Sequence, residues 1–339
     1  MKPLFKTKAR PWLWLSPQMA HDLGPLGLKI WAKFLSEKSY SWRPFNWRGL
    51  HFRNPLGIAG GVDKTGEALS AWYKFGCGFL ELGTITPVAQ KANPGLILDR
   101  DIETRSVWNK MGFPGPGAAS VVQRLNNLGT QVPRPLFINI GKNRDTSNED
   151  AAIDYVKCFE QLKDFADAFV INISSPNTSG LRQLSDQKFL ENLLAEIALA
   201  QKKLKTKKPI LLKLSPDMNE SETNDLLARS LSQNIDGWIL TNTTTSREPH
   251  SKFQKEGGLS GAPLAELSKR RLQQSVKFLG SSKQDRLLIS VGGVMSPEDV
   301  KERLEIGADL VQVYSTLIFQ GPLFFSEVAK YFDKHSAKI

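Results

Sequence analysis

From residue 55 onward the hydrophobic residues fall into two alternating patterns. Short apolar runs recur at Leu56–Gly60, Phe79–Leu82, Leu136–Ile140, Ala168–Asn172, Ile210–Leu214, Gly237–Thr241, Leu287–Val291 and Leu310–Val313. They are short and largely without polar alternation, which predicts strands covered on both faces. After each run, apolar positions return at helical spacing, over 65–75, 116–129, 148–164, 186–204, 219–233, 263–279, 296–306 and 322–334. Repeated strand–helix units of this kind predict an α/β fold, the closed (β/α)8 TIM barrel, with an open doubly wound sheet as the structural competitor. Just before the barrel, residues 45–52 alternate around Gly49 and predict a hairpin on the barrel floor. The polar, Gly- and Pro-containing stretch 243–263 predicts a long loop after the sixth strand, where barrels carry lids and site residues.

Ahead of the barrel, Leu23, Leu26, Ile30, Trp31, Phe34 and Leu35 recur at helical spacing, with Lys29 and Lys33 on or beside the opposite face. Charge sharpens this picture. The 339-residue chain carries a net charge of +11, from 45 Lys+Arg against 34 Asp+Glu. Residues 1–53 hold ten of the bases (Lys2, Lys6, Lys8, Arg10, Lys29, Lys33, Lys38, Arg43, Arg48, Arg53) and two acids (Asp22, Glu37), so +8 of the +11 sits there. Trp12, Trp14, Trp31, Trp42 and Trp47 lie in the same stretch. A cationic, Trp-bearing amphipathic helix suits the interface of an anionic bilayer; the plainer alternative is a helix packed on the main domain. The expected division is a helical membrane-facing segment over 1–44 and a barrel over 45–339.

The remaining composition mainly excludes. With 40% hydrophobic and 23% charged residues the chain is not of the disordered class. Cys77 and Cys158 form neither a Cys-x-x-Cys pair nor a cluster with His, so neither a disulfide framework nor a metal site is expected. No apolar run is long enough to span a bilayer, the N-terminus lacks the apolar core of a secretory signal, and no nucleic-acid motif accompanies the charge.

A barrel assembles its site at the C-terminal ends of its strands. In order, those ends read Gly60-Gly61-Val62-Asp63-Lys64, Gly83-Thr84, Asn139-Ile140-Gly141-Lys142-Asn143, Asn172-Ile173-Ser174-Ser175-Pro176-Asn177, Lys213, Thr241-Asn242-Thr243-Thr244, Gly292-Gly293 and Tyr314-Ser315. Gly-Gly after the seventh strand with Ser315 after the eighth is where barrels bind phosphate, although a Gly-Gly alone is often only a tight turn. Lys213, set in Leu211-Leu212-Lys213-Leu214, is more readily a buried cation than a solvated one. A phosphate site with a buried cation suggests flavin mononucleotide (FMN), whose reduced ring is anionic. Asn109, Asn139, Asn172, Asn177 and Asn242 suit a small planar ligand with both donors and acceptors; individually each could be a turn or cap residue.

These blocks resemble class 2, quinone-dependent dihydroorotate dehydrogenase. The resemblance spans essentially the whole chain and rests on Asn54–Lys64, Asn109-Lys110-Met111-Gly112-Phe113, Ile138–Asn143, Ile171–Thr178, Thr241–Thr244, Gly257–Gly261 and Val311–Ser315. It implies oxidation of (S)-dihydroorotate to orotate in pyrimidine biosynthesis, with one FMN per chain and a membrane quinone as final acceptor. It further implies Ser175 as the catalytic base, where the soluble class 1 relatives carry Cys, with Thr178 and Phe113 in its proton relay. Lys64, Asn109, Lys110, Met111, Gly112, Phe113, Asn172, Asn177, Asn242 and Thr243 would hold substrate. Gly60, Gly61, Val62, Asp63, Lys64, Thr84, Asn139, Asn172, Lys213, Thr241, Gly261, Gly293, Tyr314 and Ser315 would hold FMN. His21 and Arg100 would belong to the quinone path. The implied setting is a peripheral, monomeric protein on the cytoplasmic face of a bacterial inner membrane, with no metal and no nucleic acid. Lys110 where Arg is common, Ser290 where Gly is common, and the stretch 93–100 depart from the family pattern. The rivals are an FMN barrel using a soluble acceptor, a non-redox phosphate-binding barrel, and a silent membrane scaffold.

Overall fold

The computed structural model describes residues 10–35 and 40–336. Lys2, Lys6, Lys8, Glu37 and Lys38, part of the N-terminal charge count, lie outside the described residues. A 3-10 turn over Pro11–Trp14 and helix α1 (Pro17–Lys33) come first, then strands β1 (Phe45–Trp47) and β2 (Leu50–Phe52). The barrel begins with β3 (Leu56–Asp63), α2 (Leu69–Lys74) and β4 (Phe79–Ile85). An excursion follows, with β5 (Val88–Gln90), β6 (Leu98–Asp101), β7 (Ser106–Asn109) and β8 (Gly115–Gly117). The alternation resumes with α3 (Ala118–Leu128), β9 (Leu136–Ile140), α4 (Ala151–Leu162), β10 (Ala168–Asn172), α5 (Gln187–Lys203) and β11 (Ile210–Leu214). Next come α6 (Glu220–Ser232), β12 (Gly237–Leu240), β13 (Gly258–Gly261), α7 (Ala265–Leu279) and β14 (Leu287–Val291). The chain closes with α8 (Pro297–Ile306), β15 (Leu310–Val313), α9 (Ser315–Gln320) and α10 (Phe324–Ser336).

Eight parallel strands close in the order β10-β11-β12-β14-β15-β3-β4-β9, the predicted barrel and not the open sheet. The ring shuts where β15 pairs with β3, Val311 opposite Leu56. Because side chains alternate along a strand, every second residue points inward. Phe79, Phe137, Val170, Leu211, Ile239 and Ile289 form an inner apolar cluster. One step nearer the C-terminal rim the same inward positions turn polar: Glu81, Asn139, Lys213 and Gln312, all buried.

The floor is the predicted hairpin, β1 antiparallel to β2 with Trp47 opposite Leu50. Arg48 and Gly49 both have positive φ (47° and 80°), as a tight turn matching strand twist requires. This sends Phe52 into the barrel against Phe79 and Phe137, with ring centroids 5.8 and 6.1 Å away. At the other end, residues 98–109 and 258–261 form an antiparallel sheet, β13-β7-β6, over the rim. Its register sets Gly258 opposite Asn109, so the long loop after the sixth strand is tied down beside the site.

Helix α1 starts with Ser16 accepting the Met19 amide at 3.2 Å and with Pro17 in its first turn. It departs from the single apolar face expected of it. Trp31 and Leu35, with Leu28 and buried Ala32, pack on the core, Trp31 edge-on to Phe75 at 5.2 Å. Met19, Leu23, Leu26 and Ile30 point outward, 51, 50, 54 and 49% exposed, with Phe34 at 83% just beyond the helix. The helix therefore has apolar residues on two opposite sides, one docked and one bare.

Candidate active site

Two cavities meet at the C-terminal rim. The first is the more polar of the two and takes its lining from Gly60, Gly61 and Lys64 at the end of β3, from Asn109 and Met111–Phe113 at the end of β7, and from Asn172, Ser175 and Asn177 at the end of β10. Lys213, Thr241–Thr243, Gly261, Gly292, Gly293, Tyr314 and Ser315 complete it. No His, Asp, Glu or Cys lines it among the described residues; its charged groups are Lys64 and Lys213. Such a chamber favours an anionic ligand.

The amides in it are mutually ordered. Asn177 Nδ2 donates to Asn109 Oδ1 at 2.7 Å, and Asn172 Nδ2 to Thr84 Oγ1 at 2.9 Å. Asn242 Nδ2 donates to Ser174 Oγ at 3.0 Å and to Asn172 Oδ1 at 3.3 Å, while Asn242 Oδ1 accepts from the Thr243 amide at 2.8 Å. Ser175, 5% exposed, accepts the Asn177 amide at Oγ, 3.2 Å away. That bond fixes the oxygen without taking its proton. Thr178 is buried behind this loop with its hydroxyl unpartnered.

Beneath the chamber lies the polar layer, organised by a residue the sequence reading overlooked. Glu81 is fully buried; its Oε1 accepts from Lys213 Nζ at 3.0 Å and from Asn139 Nδ2, and its Oε2 from Gln312 Nε2 at 2.7 Å. An acid inside the apolar run Phe79-Leu80-Glu81-Leu82, inward like Lys213, was the available signal. Asn139 Oδ1 and Gln312 Oε1 remain without partners, two buried acceptors. Gly60 is what leaves room above them: a Cβ there would stand 2.5 Å from Glu81 Oε1. Gly292 and Gly293 both have positive φ (113° and 67°), and a Cβ on Gly293 would meet Ala265 Cα at 2.2 Å. Unmet acceptors, a buried ammonium and a glycine cradle at strands seven and eight together fit a flavin bearing a phosphate.

The second cavity is mostly apolar and lies under α1, lined by Trp14, His21, Leu28, Trp31, Arg100 and Leu317 among others. Val62 and Asp63 face this cavity and not the first. Both oxygens of Asp63 are spent on backbone: Oδ1 takes the amides of Thr65, Gly66 and Glu67, and Oδ2 that of Ala68 at 2.8 Å. Burial pushes its pKa up, against those hydrogen bonds. Asp63 thus shapes the turn into α2, and the structure gives it no contact in the first chamber. Lys110 likewise points away and pairs with Glu256 at 2.7 Å on the surface. Arg100 donates through Nη2 to the carbonyls of Leu13 and Leu15, at 2.9 and 2.6 Å, tying the N-terminal segment to the barrel rim.

Gly61 and Tyr314 line both cavities. Beside them Lys64 Nζ stands 3.1 Å from His21 Nε2 and 3.0 Å from Met111 Sδ. Burial lowers the His21 pKa to about 4, helped by the Lys64 charge and opposed by Asp22. Burial lowers Lys64 to about 8, again opposed by Asp22. His21 is thus neutral near pH 7, and its Nε2 can accept a hydrogen bond from the Lys64 ammonium. The hydroxyl of Tyr314 is raised to about 12 by burial and stays protonated.

A closed barrel with paired glycines after its seventh strand, a buried lysine in its upper layer and a serine among asparagines fits the class of flavin-dependent oxidoreductases. The family model for dihydroorotate dehydrogenase matches residues 45–335. Dihydroorotate dehydrogenase (quinone) of Thermus thermophilus is 42% identical over 324 residues, covering 91% of this chain and 90% of the relative. The protein of that name from Halorhodospira halophila is 38% identical and covers 96% of each chain. The crystal structure of ligand-free DHODH from Eimeria tenella superposes with a TM-score of 0.85 at 30% identity, covering 95% of this chain and 96% of that one. Its complex with ferulenol gives a TM-score of 0.83 at 30% identity, over 93% of this chain and 90% of the other. The chain belongs to the dihydroorotate dehydrogenase family.

Proposed function

We propose that this chain oxidises (S)-dihydroorotate to orotate on one bound FMN and passes the electrons to a membrane quinone, in pyrimidine biosynthesis. The observation that carries the reading is the pair of cavities sharing a wall: an amide-lined, cation-bearing chamber holding Ser175, and an apolar chamber beneath α1. The first matches a small anion rich in donors and acceptors, the second an apolar ring with a hydrocarbon tail.

FMN, when bound, supplies the acceptor for a hydride from substrate C6 and the means of returning the electrons to quinone. The protein does the rest. Asn109, Asn177, Asn172 and Asn242 bind the pyrimidine edge, with Thr243 and the Met111–Phe113 loop around them and the Lys64 ammonium as counter-charge to the carboxylate. Ser175 Oγ removes the C5 proton, so that loss of a proton and a hydride leaves the C5=C6 double bond. A serine hydroxyl is a weak base and needs an outlet for its own proton. The unpartnered Thr178 hydroxyl, screened by Phe113, serves as that outlet through water. Lys213, held by Glu81, would support the flavin ring with Asn139; Gly60, Gly61, Thr84 and Thr241 would line its seat, and Gly261, Gly293, Tyr314 and Ser315 would hold the phosphate end.

Residues 1–44 form the membrane and quinone-access segment and 45–339 the catalytic barrel. The bare stripe on α1 rests in the interface, flanked by Lys29 and Lys33. No described helix is long and apolar enough to cross a membrane. The protein works as a monomer on the cytoplasmic face of a bacterial inner membrane.

An anaerobic spectrum tests the reading. The purified protein should be yellow, bleach on adding dihydroorotate and regain colour with a short-chain quinone. Colour without bleaching overturns the substrate, bleaching without quinone reoxidation overturns the acceptor, and a colourless protein that takes up no FMN overturns both.

A further inference from the structure

Behind the phosphate loop, on the side away from the polar chamber, lies a buried guanidinium. Arg303 of α8 is 2% exposed. Its Nη2 donates to the carbonyl of Ala265 at 2.8 Å, to Ser268 Oγ at 3.0 Å and to the carbonyl of Gly292 at 3.3 Å. Its Nη1 donates to Ser290 Oγ at 3.3 Å. Ser268 Oγ donates in turn to the Gly292 carbonyl at 2.6 Å. Each acceptor is neutral, and no described carboxylate lies within ion-pair distance of this cation; Asp299, Glu302 and Glu266 act only from farther off. A buried charge without a counter-ion is expensive, and proteins keep one where another charge offsets it. The Gly292 carbonyl and the backbone at Ala265, against which Gly293 packs, are the points this guanidinium holds, and they form the back of the cradle. Ser290, one of the departures from the family pattern, contributes an acceptor to the same cluster.

We propose that Arg303 is a positioning residue for the cofactor phosphate: it pins the Gly292–Gly293 loop from behind and supplies the positive charge that the phosphate dianion offsets across the loop. The inference rests on the FMN reading above and makes the arginine selective for flavins that carry a phosphate. Its effect belongs to FMN and not to riboflavin, which lacks the anion.

The test compares FMN and riboflavin binding to the flavin-free full chain by fluorescence titration. In the parent, FMN should bind far more tightly than riboflavin. In Arg303→Met, FMN affinity should fall by about tenfold, about 1.4 kcal/mol, with riboflavin affinity within about twofold of the parent. Arg303→Lys, which keeps the charge, should recover part of the loss. Arg303→Gln, polar but uncharged, repeats the comparison should the methionine variant not fold. Equal loss of both flavins would make Arg303 merely structural, and loss of neither would remove it from the site. A parent that binds FMN no better than riboflavin would instead refute the phosphate cradle itself.

Discussion

Ser175 and Lys64 make separable contributions. Ser175 is placed by one backbone amide and has no acidic or imidazole partner in its chamber among the described residues, so its removal should leave the flavin seat intact. Ser175→Ala should bind FMN normally but slow bleaching by dihydroorotate by roughly 10²–10⁴-fold, the usual yield of a general base, in stopped-flow measurements. Near-parental bleaching would remove Ser175 from its role. Lys64 has its pKa lowered to about 8 by burial, so it loses its charge as pH rises through that value. Orotate affinity, measured as a flavin spectral shift, should weaken above about pH 8, and Lys64→Arg should carry binding to higher pH. A flat profile in the parent would mean that Lys64 is not the counter-charge. Rim residues such as these were legible because polar groups at strand ends stand out against apolar runs. The partners of Glu81 and Gln312 were not, because a polar residue inside a strand shows what it pairs with only when the barrel closes.

At the scale of elements, β9, β10, β11, β14 and β15 occupy the ranges their apolar runs predict. β3 and β4 run on to Asp63 and Ile85, through glycines and threonine that apolar patterning does not score. The short strands β5, β6, β7, β8 and β13 escaped because three or four residues are too few to set a pattern, and β6, β8 and β13 also carry charge, Gly or Pro. α1 was legible as a helix but not in its facing. The sequence merges Leu23, Leu26 and Ile30 with Trp31 and Leu35, whereas docking turns the last two inward. The outward stripe yields a test: Leu23→Glu with Ile30→Glu should abolish sedimentation with anionic vesicles while leaving dihydroorotate bleaching unchanged. Loss of both would show the stripe to be structural. Deleting residues 1–40 should likewise reduce quinone turnover more than bleaching.

Across the whole molecule, the hairpin floor and the polar layer divide the barrel interior into an apolar plug below and a charged platform above. The platform depends on one carboxylate answering one ammonium in a dry setting. Glu81→Gln leaves Lys213 charged and unanswered, and should cost about 3–5 kcal/mol of stability, read as a lower urea midpoint. An unchanged midpoint would mean that the Glu81–Lys213 pair adds nothing net to stability. The barrel also sets how its two chambers communicate. Gly61 and Tyr314 line both of them. Reactants that occupy separate chambers can come and go independently, and only electrons need pass between them. A compound wedged beneath α1 should then leave double-reciprocal lines for dihydroorotate parallel as its dose rises, because it delays only the second visit of each catalytic cycle.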